Sequence, residues 1–180
     1  MDKQSRYDID TLYKTYVNTL FSYALSLGFD RDTSMDAIHD VFCKLCLDEK
    51  LLKNVGNIRF YLLRALKNHL INIHKQRKIV TELSLGSFDR ETEEVPFTIN
   101  VTIEDELIEK EEDEEIRIRI TRMLEKLSDR QRKIIYLRYT EGCEYEEISR
   151  LMHISVSSCR KLIHKAIVKL KKNVFLSLLN

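Results

Sequence analysis

The chain has 180 residues, 43% of them hydrophobic and 33% charged, and a formal net charge of +1 at pH 7. This length suits one domain or two small ones, and the apolar content excludes a chain that is disordered throughout. The N-terminal residues 1–6 are polar and lack the apolar region of a signal peptide, and no run approaches the roughly 20 apolar residues of a membrane span. With four cysteines in such a chain, we expect a cytoplasmic protein without a disulfide framework.

The small net charge hides a strong segregation of charge along the chain. Residues 50–81 contain no acid and eight basic side chains, and no acid follows Glu147, whereas residues 104–115 hold nine acids and one lysine. Basic faces of this kind are typical of surfaces that bind a phosphate backbone. One such window alone would favour a solvated helix face, but two of them favour a nucleic-acid partner.

Two helices are predicted in the N-terminal part by apolar residues at three-and-four spacing. The first covers residues 8–27 and ends at Gly28, a residue that can adopt positive φ. The second covers residues 33–47 and buries Ile38, Val41, Phe42 and Leu45. Residues 48–57, which include Gly56, are predicted to form a loop.

A third helix is predicted over residues 58–77. Its inward positions are Leu62, Ala65, Leu66, Leu70 and Ile73, and its other faces carry Arg64, Lys67, Asn68 and Asn72. Residues 8–78 are therefore predicted to form one helical domain.

The helical pattern is lost after residue 78, and residues 79–115 are predicted to be a flexible acidic linker. Gly86, Pro96 and the acids between them are typical of such a segment. Residues 97–103 alternate apolar and polar side chains, which indicates an extended segment that lies along another protein. The acids from Glu104 suit the start of a helix. Its apolar face continues through Ile116, Ile120, Met123, Leu124 and Leu127.

A helix-turn-helix is predicted in a second domain, residues 116–175. Ser128 caps a helix that runs to Thr140, with Gly142 beyond its end. A short helix with Ile148, Leu151 and Met152 facing inward precedes a turn at residues 153–155, where Ser155 is the N-cap of the last helix. That helix buries Cys159, Ile163, Ala166 and Leu170. Its outward residues are Ser157, Ser158, Arg160, Lys161, His164 and Lys165. With few glycines and one proline, the fold class is all-α, with two small helical domains.

Both blocks together resemble a sigma factor of the extracytoplasmic-function type in the sigma-70 superfamily. Residues 34–42 (SMDAIHDVF) resemble the family's helix that docks on the polymerase clamp. Residues 61–68 (YLLRALKN), Asn72 and residues 74–78 (HKQRK) resemble its −10 reader, and residues 127–172 resemble its −35 reader. The chain has His39 where the family often has Gln, Cys46 where it has Trp, Asn72 where Asp is common and His153 where Gly is usual.

The resemblance implies a protein that binds the clamp and flap of core RNA polymerase and directs promoter recognition, −10 melting and transcription initiation, without catalysis or a cofactor. The residues implied for −35 DNA are Ser157, Ser158, Arg160, Lys161, His164 and Lys165. Those implied for −10 DNA are Lys53, Asn54, Asn57, Arg59, Tyr61, Arg64, Lys67, Asn68 and Asn72. Those implied for polymerase binding are Asp36, His39, Asp40 and Phe42. Whether an anti-sigma factor or a recruiting protein acts on the chain stays open.

Several of these residues also have a plainer interpretation. Phe42 is at least as typical of a helical core, and Tyr61 is more often a core aromatic than a stacking ring. The acids of residues 104–115 either mimic nucleic acid inside the polymerase or form a solvated helix start.

His39, Cys43 and Cys46 could hold zinc from one face of a helix. Three ligands on one helix need a fourth, however, and small apolar packing explains the cysteines. We therefore predict no metal, and we interpret Cys143 and Cys159 as core thiols.

The alternative function is an autonomous helix-turn-helix regulator whose N-terminal domain senses a ligand or dimerises. The basic residues of 50–81 disfavour it, because a sensor domain has no need of them. An enzyme is disfavoured further, since the sequence shows no nucleophile–base pair, no Gly-rich phosphate loop and no second metal-ligand cluster.

Overall fold

The computed structural model describes residues 8–53, 55–85 and 112–177, with side chains over 8–48, 50–53, 55–77 and 118–172. The chain divides into two compact units that fall within residues 1–95 and 96–180. All regular secondary structure in the described ranges is helical, as predicted. The extended segment 97–103, the acidic helix start at Glu104 and Asn54 lie outside the described residues. Within those residues no helix is both long enough and apolar enough to span a bilayer.

The first helix, α1, covers Ile9–Ser26. The carboxylate of Asp8 accepts hydrogen bonds from the backbone N–H groups of Asp10 and Thr11, both at 3.3 Å, which makes Asp8 the N-cap. Gly28 follows the helix at φ 84°, the positive value that only glycine adopts without strain. The predicted span of residues 8–27 is therefore confirmed.

The second helix, α2, covers Arg31–Leu47 and starts two residues before the predicted position. Asp30 is its N-cap, since the Thr33 backbone N–H donates to the Asp30 carboxylate at 2.8 Å. The predicted inward residues Ile38, Val41, Phe42 and Leu45 are all buried. A short 3₁₀ helix over Glu49–Leu52 occupies part of the predicted loop, because the Asp48 carboxylate caps it through the Lys50 N–H at 3.1 Å.

The third helix, α3, covers Ile58–Leu85, so the predicted helix end at residue 77 is wrong. The segment from 78 to 85 contains neither glycine nor proline, and the first glycine after the loop is Gly86. A loss of apolar periodicity does not by itself end a helix, whereas these two residue types do. Helices α1, α2 and α3 pack on one another as a three-helix group.

The second unit contains α4 (Glu112–Glu125), α5 (Asp129–Ile135), α6 (Tyr145–Met152) and α7 (Val156–Ser177). Ser128 caps α5 through a capping box, in which the Ser128 N–H donates to the Gln131 side chain at 3.1 Å and the Gln131 N–H to the Ser128 hydroxyl at 3.4 Å. A π-helical turn over Tyr136–Thr140 extends α5 to the predicted end, and Gly142 follows at φ 62°.

The apolar face predicted for α4 is only partly correct. Leu127, just after the helix, is buried, but Ile120 is 42% exposed. Met123 and Leu124 are half-buried, and the side chain of Ile116 lies outside those described. The core of the second unit is therefore supplied by the residues after α4. The largest of its fully buried side chains are Ile134, Leu137, Ile148 and Leu151.

Candidate nucleic-acid interface

The turn between α6 and α7 has the geometry of a helix-turn-helix. His153 lies in the left-handed region at φ 53° and ψ 45°, a conformation in which histidine is relatively frequent. The Ile154 N–H then donates back to the Ser149 carbonyl at 3.1 Å. Ser155 caps α7 by accepting from the Ser158 N–H at 3.1 Å. The predicted turn and cap are confirmed.

The two faces of α7 separate as the sequence predicts. Cys159, Ile163 and Ala166 are at most 4% exposed, and Leu170 is half-buried. Burial raises the pKa of the Cys159 thiol, and Cys143 is also buried, so both behave as core thiols. All six residues predicted to face outward are exposed: Ser157, Ser158, Arg160, Lys161, His164 and Lys165. The hydroxyl of Ser158 lies 2.9 Å from that of Ser155, so the cap residue orients it.

An aromatic ring that the sequence did not predict as part of the site lies beside this surface. The guanidinium carbon of Arg160 is 5.4 Å from the centroid of the Tyr145 ring, and that of Arg138 is 4.9 Å from the same centroid. Arg138 also donates to the Cys143 carbonyl at 2.8 Å and to the Glu144 carboxylate at 3.0 Å. These three side chains, Arg138, Tyr145 and Arg160, form an arginine–tyrosine cluster. Tyr145 and Arg160 belong to different helices, and no short-range spacing predicts such a pair.

On α3, three of the residues predicted for the −10 element are exposed along one face. Arg64, Asn68 and Asn72 follow at four-residue intervals and all three are exposed, which is the spacing of neighbours on a helix surface. Lys53 is exposed as well, and Arg59 is half-buried. The face therefore offers one cation and two amides in a row.

Two further −10 residues have a structural role in addition to their exposed surface. The Asn57 side chain accepts from the Phe60 N–H at 3.0 Å, so it is the N-cap of α3. Tyr61 is half-buried, and burial, followed by the negative charge of Asp48, raises the pKa of its phenol. Part of the Tyr61 ring surface is therefore open to solvent.

Lys67 is not on the outer face, and this prediction is wrong. It is 7% exposed, and Leu63 and Leu70, on the turns before and after it, are completely buried. Positions 63, 67 and 70 share one side of the helix, so the buried face of α3 is wider than predicted. Little of the Lys67 side chain is available to a DNA strand.

The residues predicted to bind polymerase divide into two groups. Asp36, His39 and Asp40 are exposed on α2. The Asp40 carboxylate lies 2.8 Å from Nε2 of His69 on α3, and Nε2 of His39 lies 3.0 Å from the Tyr13 hydroxyl. Phe42 is 5% exposed and packs edge-to-face on Tyr13 at 5.1 Å. Phe42 is therefore a core residue, in agreement with its plainer interpretation, and it offers little surface to polymerase.

Cys43 and Cys46 are exposed, so the interpretation that core packing explains them is wrong. Both lie on the exposed side of α2. Over the described residues, no group of three or more His, Cys, Asp or Glu side chains is arranged to hold a metal ion.

The second unit matches a known family profile, and most of the chain is similar to known proteins. The family profile described as sigma-70, region 4 matches residues 117–170, which contain α5, α6 and most of α4 and α7. The chain is 22% identical over 163 residues to the ECF RNA polymerase sigma factor SigX of Bacillus subtilis, covering 91% of this chain and 81% of that protein. It is 24% identical over 173 residues to the RNA polymerase sigma factor YlaC of the same organism, covering 94% and 93%.

Two solved structures share the fold. One is the sigma factor RpoE in complex with the anti-sigma factor NepR from Bartonella quintana, with a TM-score of 0.60, 18% identity, and coverage of 93% of this chain and 96% of that one. The other is CnrH in complex with the cytosolic domain of CnrY, with a TM-score of 0.51, 18% identity, and coverage of 93% and 88%. With the region 4 match over residues 117–170 and distant relatives along nearly the whole chain, this protein is similar to extracytoplasmic-function sigma factors of the sigma-70 family.

Proposed function

We propose that this protein is a sigma factor that holds two separated promoter elements with its two helical units while it is bound to core RNA polymerase. The second unit reads the −35 element as duplex, and the first unit binds the −10 element as a melted strand and docks on the polymerase clamp. The observation that carries the proposal is the outer face of α7. It is exposed, contains no acid and follows a capped turn. The protein makes no covalent bond and acts in the cytoplasm, where polymerase and the chromosome are.

The −35 role rests on the position of the cations relative to the turn. The N-terminal part of a recognition helix enters the major groove of DNA, and Arg160 and Lys161 lie in the first two turns of α7. An arginine can bind the two acceptors of a guanine edge, and lysines mainly bind phosphates. The Ser157 hydroxyl is exposed beside them and can donate to a phosphate or a base.

The −10 role rests on Arg64, Asn68 and Asn72. A single strand requires cations for its phosphates, and hydrogen-bonding groups and ring surfaces for its unstacked bases. The exposed face of α3 supplies a cation and hydrogen-bonding amides, and the exposed part of Tyr61 supplies a ring surface. Lys53 and Arg59 extend the basic surface towards the preceding loop, and we place Asn57 at its edge. For Asn54 we retain the −10 DNA-binding role that the family resemblance implies.

Docking on polymerase rests on the exposed carboxylates of α2. Asp36 and Asp40 present negative charge that basic residues of the clamp would complement, and His39 lies between them. The second unit would dock on the flap. The nine acids of residues 104–115 carry charge of the sign of nucleic acid, and we propose that the segment between the units, including these acids, follows a basic channel of the polymerase.

Regulation by a protein partner is part of the proposal. Both of the solved structures named above are complexes, one with the anti-sigma factor NepR and one with the cytosolic domain of CnrY. We propose that an anti-sigma factor likewise holds this chain until it is released. Affinity purification of the chain from its own cells at rest should recover such a partner. Recovery with polymerase alone would favour a recruiting protein or no regulator.

In vitro transcription tests the function directly. Core polymerase is incubated with genomic DNA fragments, with and without the full chain, and the 5′ ends of the transcripts are mapped. We expect start sites that depend on the chain and share two upstream sequence elements. The absence of specific initiation on every genomic template would contradict the proposal, and binding of the chain alone to palindromic duplex would support the regulator instead.

A further inference from the structure

We infer that Tyr145 is a positioning residue for −35 recognition, because its ring holds the guanidinium of Arg160 at the surface that faces DNA. The inference rests on the proposed function, since it concerns how Arg160 is presented to the −35 element. It adds a residue from α6 to a surface that otherwise comes from α7.

The geometry of the arginine–tyrosine cluster supports this role. A guanidinium within about 6 Å of an aromatic centroid is attracted by the negative face of the ring. Both Arg160, at 5.4 Å, and Arg138, at 4.9 Å, meet this condition. Arg160 remains exposed and Tyr145 is half-buried, so the ring is fixed by the protein while the arginine stays accessible to a partner.

The two arginines of the cluster have different surroundings. Arg138 is bonded to the Glu144 carboxylate at 3.0 Å and to the Cys143 carbonyl at 2.8 Å, so its charge is largely neutralised and its position is fixed. Arg160 forms no ion pair with an acid among the described residues, and its full charge is available to DNA. Arg138 therefore stabilises the position of the Tyr145 ring, and Arg160 is the member of the cluster that is available to DNA.

Positioning matters because arginine is a flexible side chain. Ordering it on binding costs conformational entropy, and a side chain held beforehand avoids part of that cost. A ring that holds the guanidinium also limits the directions in which it can approach a base edge. We therefore expect Tyr145 to affect both affinity for the −35 element and discrimination between −35 sequences.

The test uses the full chain in holoenzyme on a promoter mapped by in vitro transcription. Tyr145→Leu should weaken binding to the intact promoter by about two- to fivefold, with little effect on a template whose −35 element is scrambled. Tyr145→Phe keeps the ring face and should restore most of the binding. Tyr139→Leu is the matched control, because Tyr139 is an exposed tyrosine outside the cluster, at 63% exposure, and it should leave binding unchanged.

A double-mutant cycle separates positioning from a general effect on folding. In an Arg160→Ala background, Tyr145→Leu should cost nothing further. An equal cost in both backgrounds, or a failure of Tyr145→Phe to restore binding, would overturn the inference. If Arg160→Ala alone had no effect on the intact promoter, the −35 role of Arg160 would be wrong instead, so the two failures are distinguishable.

Discussion

His153 sets the direction in which α7 leaves the turn. A non-glycine residue in the left-handed region carries a steric cost of about 1–2 kcal/mol, and His153 has φ 53°. The sequence shows histidine where the family usually has glycine, and the structure shows that the backbone nevertheless adopts the conformation that glycine favours. The turn is therefore kept at some expense of stability.

His153→Gly should raise the free energy of unfolding by up to about 1 kcal/mol, because it removes this steric cost. Gly142→Ala is the opposite control, since Gly142 is at φ 62° and a Cβ there should destabilise by a similar amount. Urea denaturation of the full chain measures both. A His153→Gly protein that is less stable than wild type would contradict this account of the turn.

Arg160→Ala combined with Lys161→Ala should reduce use of the −35 element by about tenfold or more, since one good base contact alone contributes about 1–3 kcal/mol. Polymerase binding should be unchanged, because both side chains lie on the outer face of α7, which we propose contacts DNA and not the flap. Arg122→Ala with Lys126→Ala removes the same two residue types from exposed positions of the same unit and should have no such effect. Loss of polymerase binding in the first variant would show that the division of roles is wrong.

The exposure of single residues was predicted best where helical spacing and residue type both indicate the same face of a helix. The six outward residues of α7 and the cap at Ser155 follow from the stripe of Cys159, Ile163 and Ala166. Lys67 could not be predicted, because residue type indicates an exposed lysine and only the width of the packed face of α3 places it inside. Tyr145 was missed for a related reason, since its partner Arg160 comes from another helix.

At the scale of elements, capping residues determine where the helices begin. Asp8, Asp30, Asn57, Ser128 and Ser155 each accept a hydrogen bond from a backbone N–H group of the first turn. The ends are less regular. Gly28 and Gly142 were correctly predicted to follow helix ends. The helix α3 continues to residue 85 because its sequence contains no glycine or proline before Gly86. A change in the apolar pattern does not reveal this.

Asp30→Asn should make the stability of the first unit less dependent on pH. The Thr33 backbone N–H, then the Thr33 hydroxyl, and also Arg77 lower the pKa of Asp30 from its ordinary value of 3.8. The stabilisation by the charged carboxylate is therefore present above that value and lost as the pH falls through the lower value of the folded state. Asparagine keeps the cap without the charge.

The measurement is the thermal midpoint of both proteins as a function of pH. Wild type should be more stable than Asp30→Asn at neutral pH, and the difference should shrink as the pH falls below about 4. Asp32→Asn, an exposed change in the same turn that leaves the cap intact, serves as the control. A difference between wild type and Asp30→Asn that stays constant down to acid pH would show that the carboxylate charge does not stabilise the cap.

At the scale of the whole molecule, charge segregation gives the clearest functional signal. The basic residues of 50–81 lie on the 3₁₀ turn, the loop and α3 of the first unit, and those after Glu147 lie on α6 and α7 of the second. Each unit has its own buried core and its own exposed cations, so each can contact DNA by itself. The net charge of +1 belongs to the whole chain, because the acids elsewhere in the sequence balance these basic segments, and it hides the segregation.

The most direct test of this account is site-specific crosslinking in the promoter-bound holoenzyme. A photoreactive side chain is placed at Asn72 in one protein and at His164 in another, and the crosslinked nucleotides are mapped on the same promoter. We predict that position 164 reacts with duplex DNA in the −35 element and that position 72 reacts with the melted strand in the −10 element. Reaction of both positions with one element, or of neither with DNA, would contradict the account.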